Sequence, residues 1–235
     1  MPLVILPLLV GVGWAGRRSS AAPSPPAGDA RTIYLSDCSV CHGADGRGTS
    51  KGPTLEGSGR AGVDYVLTTG RMPLPDPTAE TVRRTPKYEP ATITVLEDYI
   101  ATLVPGGPDI PHVDVAAGDL AQGGEIYRAQ CAACHEWAGD GGALLHREAP
   151  ALGAATPAQV AEAVRIGPSA MPVFSTAALS DTDLNGVVRY VEYVDAPDDH
   201  GGQPLWHLGP VAEGAAGLAA LAVLLVAIRL LGSRP

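Results

Sequence analysis

Four cysteines and two histidines carry the most specific chemical signal in this chain. They stand as CSVCH, Cys38 to His42, and CAACH, Cys131 to His135, and the two words use every cysteine among the 235 residues. Two thiols three positions apart sit on one helical turn. They can reach the two vinyl groups on one edge of a porphyrin, and the histidine that follows can swing to the iron as proximal ligand. Zinc, dithiol redox chemistry and plain disulfides compete with that reading. Zinc ribbons separate their pairs by about 15–20 residues, whereas Cys41 and Cys131 are 90 apart. A thioredoxin-type pair wants a βαβ pattern nearby, and none is written here. None of the three explains a histidine directly after each pair. Two covalently attached haem c groups are therefore expected, held by Cys38 and Cys41 and by Cys131 and Cys134, with His42 and His135 on the irons.

Such an iron needs a sixth ligand. Beyond Met1 the chain has two methionines, Met72 and Met171, which follow His42 and His135 by 30 and 36 residues. Both occur as Met-Pro, in GRMPL and SAMPV. A thioether is a soft ligand that favours ferrous iron and raises its potential. A lone methionine reads more simply as a gap filler in a core; two, identically framed, are expected to be axial ligands. His112, His146, His200 and His207 read as solvated loop residues, although His146 could compete for the second iron. Pro53 and Pro150 follow the loops that leave the two words. Each is either an ordinary turn proline or the site of a carbonyl that accepts the proximal His ring N–H. Arg71 beside Met72 could approach a haem propionate, and Ala170 stands in its place in the second copy.

The elements around these residues form a repeat. TIYLSDCSVCHG aligns with EIYRAQCAACHE, GPTLEG with APALGA, and GRMPL with SAMPV. Each copy closes on a helical period: Ile93, Leu96, Tyr99, Ile100 and Leu103 in the first, Leu184, Val187, Val188, Val191 and Val194 in the second. No alternating strand pattern is evident, so the fold class is mainly α. Residues 30–104 and 118–196 are expected as two domains. Linkers rich in Pro, Gly and Ser occupy 19–29 and 105–117, and a stalk occupies 197–210. Gly and Pro number 29 and 22, and Phe174 is the single Phe. Small domains of this composition lack core material, and a porphyrin would supply it. The net charge of -9 argues against nucleic acid as a partner.

Both ends are apolar. Residues 1–18 have the length of a signal-peptide hydrophobic region or a short anchor. From Val211 to Leu231 the chain is apolar nearly all round and long enough to span a membrane, with Trp206 before it and Arg229 and Arg234 at its basic end. The basic end should be cytoplasmic, with residues 30–210 outside. A buried core helix is the competing reading.

Each copy resembles a class I cytochrome c domain: a helix ending in the Cys-x-x-Cys-His word, a Met-bearing loop and a closing helix. That family expects an aromatic four residues before the first Cys, met by Tyr34 and Tyr127. It also expects a small residue eight before it, met by Ala30 and Gly123. The whole chain resembles the dihaem cytochrome cc subunit of actinobacterial menaquinol–cytochrome c reductases, on GPTLEG, TTGRMP, TPKY, GGEIYRAQCAACH and GGAL and on the terminal span. The resemblance departs at the N-terminus, which lacks a basic stretch before its apolar run. It implies partners: a cytochrome b subunit, a Rieske iron–sulfur subunit and an aa3-type cytochrome oxidase. It also implies a relay of electrons from the Rieske protein to the oxidase. A dihaem acceptor for a periplasmic dehydrogenase and a haem-based gas sensor are the rival functions.

Overall fold

The computed structural model of the protein describes residues 27–144, 147–197 and 210–232. The N-terminal apolar run, His146, His200, Trp206 and His207 lie outside them. By contacts the chain falls into two units. One is residues up to His112 with Ala161–Ala178; the other is Val113–Val160 with Leu179 onward.

In the first unit α1 (Ala27–Asp37) runs into the one-turn α2 (Ser39–His42), followed by α3 (Gly59–Thr68) and α4 (Pro90–Leu103). Pro90 begins α4 at a position where no helical N–H bond is lost. The core joins Ala30 and Tyr34 of α1, Val63 and Leu67 of α3, and Ile93, Leu96 and Ile100 of α4. Positions 93, 96 and 100 are the spaced apolar face that the sequence shows, and Tyr99 and Leu103 pack at its rim. Glu97 is also buried, only 3% exposed. Its carboxylate lies 3.9 Å from the Arg60 guanidinium of α3. Burial, and then the neighbouring Asp64, push the Glu97 carboxyl above the ordinary range. An acid within a helical run reads as solvent-facing; only the placement of α3 gives it a partner.

The second unit opens on α5 (Leu120–Gln130) and the one-turn α6 (Ala132–His135). A short antiparallel pair follows, β1 (Gly142–Leu144) and β2 (Arg147–Ala149), with Gly142 opposite Ala149. The sequence did not signal these strands, because three residues are too few to display a period of two. Next come α7 (Pro157–Ile166), whose last turns belong to the Ala161–Ala178 stretch, then α8 (Asp181–Asp195) and α9 (Pro210–Gly232). Helix starts follow side-chain capping. Asp119 accepts the Gln122 N–H at 2.9 Å to start α5, and Ser180 accepts the Asp183 N–H at 3.1 Å to start α8.

Helices α5 and α8 cross in backbone contact. A Cβ on Gly123 would lie 1.9 Å from the Gly186 carbonyl oxygen. The closeness lets Tyr127, Leu184, Val187, Val188 and Val191 bury fully. Helix α9 is different: 23 residues at ~1.5 Å each reach about 35 Å, and every residue from Glu213 to Gly232 is exposed. It is long and apolar enough to cross a membrane, and none of it is buried against the described residues.

Candidate functional site

The two Cys-x-x-Cys-His words fold alike. Helices α1 and α5 both break at the first cysteine, with φ/ψ of -118°/-40° at Cys38 and -115°/-40° at Cys131. The next turn carries the second cysteine and the histidine. The residue after the histidine then turns the chain away with left-handed φ, 80° at Gly43 and 63° at Glu136. Glycine adopts this freely; a glutamate there stores on the order of 1–3 kcal/mol of strain.

A buried tyrosine holds that corner in each unit. The Tyr34 hydroxyl donates to the Gly43 carbonyl at 2.7 Å, and the Tyr127 hydroxyl donates to the Glu136 carbonyl at 2.9 Å. Each ring leans on a second tyrosine from the closing helix, with Tyr34–Tyr99 centroids 5.5 Å apart and Tyr127–Tyr190 centroids 5.2 Å apart. Burial pushes the Tyr34 phenol up to about 12 and raises Tyr127 as well, so both remain donors. The aromatic four residues before the first cysteine thus ties the entering helix to the corner beyond the histidine. The sequence pointed to Tyr34 and Tyr127 but not to Tyr190, which it placed in a helix without a role.

The histidines are braced identically. His42 Nδ1 lies 2.8 Å from the Pro53 carbonyl oxygen, and His135 Nδ1 lies 3.0 Å from that of Pro150. A carbonyl only accepts, so Nδ1 carries the proton and donates it. Nε2 is then bare and available to a metal, with the ring orientation fixed. Of the two readings open for Pro53 and Pro150, the carbonyl brace is the one observed. The connecting loops match as well: Gly48 N–H donates to the His42 carbonyl at 2.7 Å and Gly141 N–H to the His135 carbonyl at 3.1 Å. The braces span eleven residues in the first unit and fifteen in the second. The β1–β2 hairpin takes up the difference.

All four cysteines are unpaired and partly buried. Burial, chiefly, pushes the Cys38 and Cys131 thiols up to about 11, so both are neutral at physiological pH. Among the described residues no three His, Cys, Asp or Glu side chains converge as a metal site would require. Two cysteines on one turn beside an imidazole with a bare Nε2 are the residues that a c-type haem needs.

The methionine turns also share a shape. Two residues before each methionine the backbone is left-handed, with φ 63° at Gly70 and 56° at Ser169. Met72 N–H donates to the Val66 carbonyl at 3.0 Å, and its side chain packs at the rim of the first core. Met171 N–H donates to the Pro168 carbonyl at 3.0 Å, within the Ala161–Ala178 stretch that groups with the first unit. Met72 borders a cavity of about 420 Å³ whose lining includes Tyr65, Val66, Arg71 and Thr81. His112 is exposed in its loop.

One cluster beside the first word escaped sequence reading. Lys87 Nζ donates to Asp37 Oδ2 at 2.7 Å, and the Tyr88 hydroxyl donates to the same oxygen. The hydrogen bonds from Lys87 and then Tyr88 hold the Asp37 carboxyl down near about 2. This ties the segment after the Met72 turn to the residue preceding Cys38. The folded carboxyl is depressed, so its stabilisation is complete above the unfolded value near 3.9 and is lost as pH falls toward about 2. Asp37→Asn is expected to lower stability at neutral pH by roughly 2 kcal/mol and to flatten the decline between pH 5 and 2. Urea melts across that range measure both.

The profile described as "Cytochrome C oxidase, cbb3-type, subunit III" matches residues 118–191. A cytochrome bc1 complex cytochrome c subunit from Corynebacterium diphtheriae is 32% identical over 228 residues, covering 88% of this chain and 80% of that protein. Subunits of the same name from Mycobacterium leprae and Mycobacterium tuberculosis are 35% and 34% identical over 196 residues. Both alignments cover 79% of this chain, with 68% of the first relative and 70% of the second. The doubled His brace and this likeness over most of the length agree, and the chain belongs to the family of cytochrome bc1 complex cytochrome c subunits.

Proposed function

We propose that this chain is the dihaem electron relay of a menaquinol–cytochrome c reductase. It would pass electrons from a Rieske iron–sulfur subunit to an aa3-type terminal oxidase. The cytochrome c role within a bc complex follows from the family. The observation that carries the finer reading is the duplication of the complete histidine setting, from kinked cysteine to Tyr corner to Pro carbonyl. A single haem would need one such setting.

When bound, each haem supplies a one-electron iron couple. The residues of this chain do the rest. Cys38 and Cys41, and Cys131 and Cys134, fix the porphyrins as thioethers. His42 and His135 offer Nε2 to the irons, each oriented by its carbonyl brace. Met72 and Met171 would serve as the further ligands of the two irons and would keep water and small ligands off them. The assignment of Met171 to the second iron rests on the sequence repeat and on the matching turn at Ser169. The domains read as 30–104 and 118–196. Helix α9 anchors them on the extracytoplasmic face, with Arg229 at the cytoplasmic end. Tethering two redox sites in one chain raises the effective concentration of donor for acceptor. Quinol oxidation itself belongs to a cytochrome b partner.

Two measurements test this. Met72→Ala or Met171→Ala should leave both haems attached, lower one midpoint potential and open one iron to carbon monoxide. An unchanged spectrum with no carbon monoxide binding removes that methionine from the ligand set. Gentle detergent extraction should bring down cytochrome b, Rieske and oxidase subunits; recovery of a dehydrogenase instead overturns the assignment.

A further inference from the structure

The two methionine turns share a left-handed residue two positions before the methionine but have different neighbours. Arg71 precedes Met72, whereas Ala170 precedes Met171. Arg71 borders the same cavity as Met72. Its guanidinium carbon sits 4.9 Å from the centroid of the Tyr65 ring. Its Nη1 is buried and has no hydrogen-bond partner among the described residues. A buried guanidinium N–H without an acceptor is costly, and one that persists marks a place where something else accepts. The surroundings reinforce this. Arg83 lies near enough that burial, and then the charge of Arg71, depress its own proton affinity. Arg71 has no carboxylate within ion-pairing distance among the described residues.

The geometry points to Arg71 as a positioning residue that donates Nη1–H to a propionate of the first haem and thereby raises the potential of that haem. This rests on the dihaem reading above. A propionate is the carboxylate that a haem brings, and a guanidinium binds carboxylates with strong charge-assisted bonds. Oxidised haem carries one more positive charge than reduced haem, so a fixed cation nearby disfavours oxidation. Ala170 offers the second haem neither charge nor donor. At this position the repeat is symmetric in its ligands and asymmetric in charge, so the two haems become electrochemically distinct.

The test is a spectroelectrochemical titration of the full-length protein in detergent, with covalent haem counted on the same sample. Wild type should titrate in two waves. In Arg71→Gln one wave should move to lower potential while the other stays. The moved wave should also gain pH dependence, because its propionate now titrates without a partner. Arg71→Lys should fall between the two. If Arg71→Gln does not accumulate, Ala170→Arg serves instead and should raise one wave. Two covalent haems with neither wave moved, or with both moved equally, overturn the role of Arg71 and leave the dihaem reading standing. Fewer than two covalent haems in wild type overturn both.

Discussion

Replacing Cys131 and Cys134 together by alanine should halve the haem that stays with the acid-denatured chain, from two groups to one. The same replacement at Cys38 and Cys41 should remove the other. Thioethers survive denaturation and extraction; coordination bonds do not. Counting haem per chain after acid–acetone extraction therefore reads out the covalent bonds alone. Each loss should also destabilise its unit, because a porphyrin supplies apolar volume that these Gly- and Pro-rich units do not make for themselves. If both double variants keep two haems, the cysteines are not the attachment points. If wild type keeps none, the relay has no carrier.

The second large effect is expected from the smallest side chain. Gly123→Ala adds a methyl group where a Cβ would lie 1.9 Å from the Gly186 carbonyl oxygen and 2.2 Å from its carbon. Both sides of that contact are helix backbone, so neither can rotate away, and α5 and α8 must separate. Separation opens the packing of Tyr127, Leu184, Val187 and Val188 at once. Overpacking of this kind costs about 1–3 kcal/mol, and a cost near the upper end lowers the melting temperature of a small domain by roughly 10–20 °C. Far-UV circular dichroism on heating measures it. Gly214→Ala in α9, where nothing lies within 4 Å, is the control and should leave the melt unchanged. Equal melting of Gly123→Ala and wild type would mean that the crossing is looser than described.

How much of this could be read without coordinates differs by residue. The helical faces at Ile93, Leu96 and Ile100 and at Leu184, Val187, Val188 and Val191 were legible, because apolar spacing along one chain is local information. The need for a small residue at Gly123 came from the family resemblance, but its partner did not. Gly186 carries no mark in the sequence beyond being glycine within a helix. Glu97 carries no mark of its burial in the sequence, because the Arg60 that approaches it comes from α3. Asp37, Lys87 and Tyr88 sit about fifty positions apart along the chain and form one hydrogen-bonded group. No periodicity relates residues so far apart.

The sequence by itself determined the kind of chemistry: two thiol pairs, each with a histidine, each followed by a methionine in the same turn, and an apolar helix at the end. Those are statements about residue type and short spacing, which the chain cannot change by folding. The tertiary structure decided which nitrogen of each histidine is bare, because that depends on a proline carbonyl eleven or fifteen residues away. It also decided how closely α5 and α8 approach, and that Arg71 Nη1 is buried without an acceptor. Hydrogen bonds, close contacts and desolvation act over a few ångströms in space, and only the packed fold says which residues are that near.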